Sequence, residues 1–126
     1  MTLRACQVTT GRKHAGVVSD SERLEQAAVA AGKASGDLVF PMLYCPEMLT
    51  ELLKSPTADM RNNTSDRMNA QSSTAAQFVK NQLPEDWSGE WLHCDIAGPA
   101  SDKEYLATGY GPALIVELLG LGSQAK

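Results

Sequence analysis

The spacing of hydrophobic and polar positions changes several times along this chain, and each change marks an element. Between Trp91 and Ala97 a strand-like run ends abruptly at Gly98-Pro99. Alternation along it places Trp91, His93, Asp95 and Ala97 on one side and Leu92, Cys94, Ile96 and Gly98 on the other. From about Ser21 to Lys33 the apolar spacing lengthens to three and four, with Leu24, Ala27, Ala28 and Ala31 on one face. That pattern predicts a helix, alanine-rich enough to lie close to a sheet. Ser19 followed by Glu22 fits a capping box at its start, and Gly36 stands where such a helix stops.

Shorter patterns fill the intervals. Gln7–Thr10 and Ala15–Val18 are partly β-branched and are joined by the turn-like Gly11-Arg12-Lys13-His14, so they predict one bent strand or two. Asp37–Pro41 is a brief apolar run closed by proline, and Tyr44–Glu47 reads as a turn. Met48–Lys54 predicts a short helix with Leu49, Leu52 and Leu53 inward, and Ala58–Asn63 a further strand. From Asn62 to Gln71 the chain turns polar, as an exposed loop of functional length would. Ser72-Ser73 reads as the cap of a helix over 73–83 that buries Ala75, Ala76, Phe78 and Val79. After a polar loop at 101–105, Pro112 suits the first turn of a last helix. Its expected buried stripe is Leu114, Ile115, Leu118 and Leu119, stopped by Gly120–Gly122. Strands alternating with helices predict an α/β layered fold. Only three or four strands are visible and the first residues already read as strand, so the chain reads as the second half of a domain, over 1–122, with a frayed tail at 123–126.

Composition narrows the class. The 126 residues suffice for one domain, and a net charge of −4 with no basic run argues against a nucleic-acid partner. No apolar segment approaches the roughly 20 residues that span a bilayer, so no membrane partner is expected. The first residues have no apolar core of a signal peptide. Three well-separated cysteines, Cys6, Cys45 and Cys94, read as reduced thiols of a cytoplasmic protein.

Candidate chemistry is sparse. Two separated histidines and no Cys-x-x-Cys or His-Glu-x-x-His argue against a zinc site made within this chain. His93-Cys94-Asp95 invites a catalytic reading, but neighbours on a strand point to opposite faces, so His93 cannot readily serve Cys94 as a base. Asp95 shares the His93 face and could orient it. The plainer reading is that both satisfy buried groups near the strand end. Thr108-Gly109-Tyr110-Gly111 precedes a helix, where an anion could bind, yet lacks the lysine and spacing of a P-loop. Its glycines more simply allow close helix–strand approach. Arg61 and Arg67 flank the polar loop and could hold a carboxylate, though solvated surface arginines are the simpler reading. Open α/β sheets take ligands at the carboxyl ends of their strands, which points to the small-residue end of the 91–97 strand.

Taken in order, several pieces resemble the leucyl (cytosol) aminopeptidase family, and its probable-aminopeptidase-like branch in particular. They are Gly36–Pro41, Tyr44–Glu47, Ala58–Asn62, Ser72-Ser73, Trp87–Pro99 and Ala107–Gly111. The resemblance runs from about Ala5 to Gly120. It implies the C-terminal portion of an α/β/α three-layer, mixed-sheet metallo-exopeptidase domain. It also implies metal-dependent removal of N-terminal residues from peptide substrates, by two divalent ions, zinc or manganese, that activate a bridging water. A homo-hexamer is implied as well. The family's ligand-bearing Asn-Thr-Asp-Ala-Glu-Gly-Arg motif is not in this sequence. The resemblance therefore predicts no metal ligand and no catalytic residue within the chain, no metal bound by it alone, and no activity alone. What carries over is pocket wall. The family's Thr-Leu-Thr-Gly segment falls on Thr2-Leu3-Arg4, without the glycine, so Thr2 and Leu3 are candidate substrate contacts. Ala97 and Ala100 are the others. An alanine at 100 leaves a roomier S1 pocket than a methionine would, by about three methylene-sized groups worth about 0.8 kcal/mol each when buried. The alternative expectation is a non-catalytic binding or assembly module that pairs with a full-length homologue through an open sheet edge.

Overall fold

The computed structural model describes residues 2–3, 10–62 and 69–121. Eight elements follow in order: β1 (Thr2–Leu3), β2 (Ala15–Ser19), α1 (Glu22–Ser35), β3 (Val39–Pro41), α2 (Pro46–Leu52), α3 (Gln71–Lys80), β4 (Leu92–Asp95) and α4 (Pro112–Leu118). The strands form one mixed sheet in the order β1-β4-β2-β3. β4 runs antiparallel to β2, with Val17 opposite Cys94 and Val18 opposite His93. β1 is parallel to β4 and β3 parallel to β2.

Alternation on these strands divides the core. Val17, Leu92 and Cys94 pack against Ala28 and Ala31 of α1 and Leu114 of α4. Val18 and Trp91 face the other way, onto Ala76 of α3. The sheet is thus covered on both faces, the three-layer arrangement expected of an α/β domain. β4 is buried along its whole length, as a strand covered on both faces should be. No helix among the described residues is long and apolar enough to cross a membrane.

Local chemistry explains where α1 starts and ends. Its cap is Ser21, not Ser19: the Ser21 hydroxyl accepts the Leu24 N–H at 3.2 Å. The Ser19 hydroxyl instead accepts from Ser21 N and donates to the Trp91 carbonyl at 2.6 Å, tying β2 to β4. The expected Ser19–Glu22 capping box is therefore absent: Ser19 belongs to the strand, and the N3 residue of the observed cap is Leu24, which cannot return a hydrogen bond. Gly36 ends the helix as expected, left-handed at φ 86°, its N–H on the Gly32 carbonyl.

Other expectations need correction. Residues 58–62 form bends and no strand; among the described residues they have no ladder partner. The α2 helix begins two residues early, with Pro46 in its first turn, and its buried leucines are Leu49 and Leu53. Ser72 and Ser73 do not cap α3. They lie in its first turn, fully buried, beside Thr74, Ala76 and Gln77, while Ala75, Phe78 and Val79 are only half-buried. The face that α3 turns inward is small and polar, so apolar spacing selected the wrong residues. In α4 only Leu114 is fully buried, and Leu119 is 64% exposed. The strand expected over Ala15–Val18 is present as Ala15–Ser19, and the apolar run closed by Pro41 contains a strand at Val39–Pro41, while 7–9, the centre of the polar loop at 63–68 and the tail from 122 lie outside the described residues.

Candidate ligand pocket at the end of β4

β4 enters the core through a dense set of ties at its amino end. The Asp20 carboxylate accepts the Trp91 N–H at 2.9 Å and pairs with Lys80. Burial pushes the Asp20 pKa up, but Lys80 and the Trp91 N–H outweigh it and hold the carboxyl below its ordinary range. The Lys80 ammonium also lies 5.5 Å from the centre of the Trp91 ring, close enough for a cation–π attraction.

Midway along the strand, His93 is fully buried and stacks on Trp91, ring centres 6.1 Å apart. Neither ring nitrogen has a hydrogen-bond partner among the described residues. Burial drives its pKa below the ordinary 6.5, and nearby Asp95 offsets this only in part. The imidazole is a neutral packing group. It does not satisfy a neighbouring polar group, contrary to the plainer sequence reading. Asp95 does: its Oδ1 accepts the Ala97 N–H at 3.2 Å and so shapes the strand end. Cys94 points to the opposite face, in the α1/α4 core, and burial pushes its thiol up to about 12. It is not a nucleophile at neutral pH, and His93 cannot activate it.

The His93 environment has a consequence for stability. Its folded pKa lies below its unfolded one, so the unfolded chain binds the extra proton. This contribution is intact above about pH 6.5 and is lost as pH falls through that value towards the folded pKa. We expect the melting temperature of the wild-type chain to fall between about pH 7.5 and 5.5, and that of His93→Phe to fall less, since the phenyl ring keeps the volume without the proton site. Parallel pH profiles for the two proteins would remove the assignment.

Past Asp95 the chain builds a cavity of about 310 Å³. Ala100 N donates to Ile96 O, and a small hairpin follows in which Ser101 bridges Ala107 and Asp102 N donates to Leu106 O. The Asp102 Oδ1 accepts from Glu104 N and Leu106 N, fixing that loop from inside. Opposite lies the Gly11-Arg12 turn. Gly98 approaches it so closely that a Cβ would stand 1.6 Å from the Gly11 carbonyl oxygen. Ala97, Gly98, Gly11 and Arg12 line the cavity together with Ser101, Asp102, Lys103 and Tyr105 from the hairpin.

The residues singled out by sequence do not all meet at this cavity. Ala97 lines it; Ala100 does not, being held in the turn beneath it by Ile96 and Thr108. Thr2 pairs with His93 and Leu3 with Cys94, so parallel β1 runs toward the same end of the sheet. Arg61 is exposed, with its backbone N–H on Leu53 O and its side chain on Leu52 O at 3.4 Å; Arg67 lies outside the described residues. The amino end of α4 already has its anion: the Asp37 Oδ2 accepts from Gly111 N at 2.9 Å and Leu114 N at 3.3 Å. Tyr110 reaches back between β2 and β3, donating to Leu38 O and accepting from Ala15 N. Sequence reasoning missed Asp37, Arg12 and the 101–105 hairpin as builders of this end. The paired signals were Gly11 and Gly98, whose partnership across the fold is not visible in one dimension.

A mixed sheet covered on both faces, with a polar cavity at a strand's carboxyl end, defines part of an α/β domain of the ligand-cleft kind. The catalytic domain of the cytosol aminopeptidase family matches residues 2–116, and the chain belongs to that family. It is 44% identical over 124 residues to probable aminopeptidase NPEPL1 of Homo sapiens, covering 98% of this chain and 24% of that protein. It is 43% identical to leucine aminopeptidase 1 of Caenorhabditis elegans, covering 94% of this chain and 24% of the relative. Among solved structures, apo leucyl aminopeptidase from Trypanosoma cruzi matches with a TM-score of 0.83 and 46% identity, over 89% of this chain and 22% of its own. The chain thus spans about a quarter of the length of the curated relatives it matches.

The side chains present do not match the metals the family implies. Among the described residues, no group of three or more His, Cys, Asp or Glu side chains could hold a metal ion. His93 and Asp95, the pair singled out on the 91–97 strand, are buried in the sheet, one in packing and the other with its carboxylate on the Ala97 N–H. These residues do not fit a dinuclear centre, so the described part of the chain supplies no ligand set through which a metal-assisted step could run.

Proposed function

We propose that this chain supplies a substrate-pocket wall of a metal-dependent aminopeptidase that removes N-terminal residues from peptides. The observation that carries the reading is the cavity lined by Ala97 at the end of β4, in a chain that matches the family's catalytic domain almost throughout. Ala97 bounds the substrate side chain. Ala100 keeps the turn behind it small, and Thr2 and Leu3 bring the adjoining strand to the same end. The ligands for two zinc or manganese ions, and the groups that handle the proton, belong to other parts of the complete domain. The family's name supports a cytoplasmic peptidase, and the resemblance supports a hexamer, which light scattering on the full-length protein checks.

The test is direct. The purified 126-residue chain, incubated with manganese or zinc and leucyl-p-nitroanilide, should release p-nitroaniline no faster than the blank. Metal-dependent turnover clearly above the blank would show that the chain carries its own catalytic set.

A further inference from the structure

We propose that the cavity at the end of β4 is a carboxylate-binding pocket, held by Arg12 and Lys103. The proposal rests on the pocket-wall reading above and specifies the ligand chemistry of that wall. The chain as a whole is acidic, at −4. This cavity is not: its lining includes two cations and one carboxylate. That carboxylate, Asp102, is turned into its own hairpin by the N–H groups of Glu104 and Leu106. Neither Arg12 nor Lys103 has an ion-pair partner among the described residues, whose salt bridges are Arg23–Glu90, Lys54–Glu51 and Lys80–Asp20.

The geometry around the two cations favours a small anion. They reach the cavity from two separate segments, the Gly11-Arg12 turn and the 101–105 hairpin, and both belong to its lining. Ala97 and Gly98 contribute lining with almost no side chain. A volume of about 310 Å³ is at the small end of ligand pockets and suits one amino-acid residue. Arg12 also borders an adjoining cavity of about 260 Å³ with Lys13, which adds to the positive field. The acid at that second cavity, Asp37, is engaged by the amino end of α4. A guanidinium offers a carboxylate two parallel hydrogen bonds, and an ammonium adds a point charge.

The carboxylate could be an acidic side chain at the peptide's first residue or the free carboxyl end of a short peptide. The experiment separates them. The chain is titrated calorimetrically with Glu-Leu-amide, Leu-Leu, Leu-Leu-amide and glutarate. A carboxylate-bearing peptide should bind about tenfold more tightly than Leu-Leu-amide, the size expected for a charge-assisted contact. Preference for Glu-Leu-amide assigns the pocket to an acidic side chain, and preference for Leu-Leu to a peptide's carboxyl end. Arg12→Gln and Lys103→Gln should each remove most of that preference while leaving the melting temperature unchanged, since both side chains are exposed. Equal binding of the three peptides, binding of none of the four probes, or a preference that survives both substitutions overturns the proposal. Binding of glutarate with no peptide would keep the carboxylate site and overturn the peptide-pocket reading instead.

Discussion

Gly98→Ala should be among the most damaging single-methyl additions to this protein. The new Cβ would stand 1.6 Å from the Gly11 carbonyl oxygen and 2.7 Å from its carbon. Both are backbone atoms, so no side-chain rotation relieves the clash; the 97–100 turn and the Gly11-Arg12 turn must separate. Overpacking usually costs about 1–3 kcal/mol, and a backbone collision belongs at or above the top of that range. Gly36→Ala supplies the contrast. Nothing lies within 4 Å of a Cβ there, and only the left-handed φ of 86° opposes it, at about 1–2 kcal/mol. Urea titrations of the two variants compare them directly. A Gly98→Ala midpoint no lower than that of Gly36→Ala would mean that the two turns part easily. The cavity they share should also lose its ligand preference, because Arg12 sits on the turn that Gly98 touches while Lys103 sits on the hairpin that follows Gly98.

Leu114→Ala should rank beside it for a different reason. Leu114 is 2% exposed and packs among Cys94, Val17 and Ala28, where α4 meets both the sheet and α1. Truncating a buried leucine costs about 2–5 kcal/mol, depending on how far the site collapses. The alanine-rich face of α1 has few long side chains to swing into the gap, which favours the upper part of that range. Leu119→Ala, five residues on at a 64% exposed position, should stay within about 0.5 kcal/mol of wild type. The pair decides how α4 docks. Similar losses at both positions would place the buried stripe where apolar spacing alone put it.

That contrast shows which parts of this fold can be read from the chain. The alternation at 91–97 correctly separates Trp91 and His93 from Leu92 and Cys94, because a strand's period is fixed by the backbone. Gly36 and Pro112 mark helix ends through their own φ preferences, so they too are legible. Two of the mistakes share one cause: they concern what a helix packs against. Ser72 and Ser73 look like a cap in sequence, and they are buried because α3 presents a small polar face to the sheet. Leu119 looks like core, and it is exposed because α4 has finished its contact by Leu118. The pocket followed the same division. Its place at the end of β4 and the involvement of Ala97 follow from strand direction and small residues. Its cations do not, because Arg12 and Lys103 are brought together by a contact between two turns distant in sequence.

The Asp37 carboxylate has an implication for the order in which the molecule can assemble. It follows α1 and caps a helix that starts at Pro112, accepting N–H groups 74 and 77 residues later. With seven residues, α4 is too short to hold itself together in water. Its amino end has no cap of its own, since Gly111 offers no side chain. This helix therefore has no independent existence: it forms only against a β3–α1 unit already in place, so the chain's first third must be ordered before residues 112–118 can be.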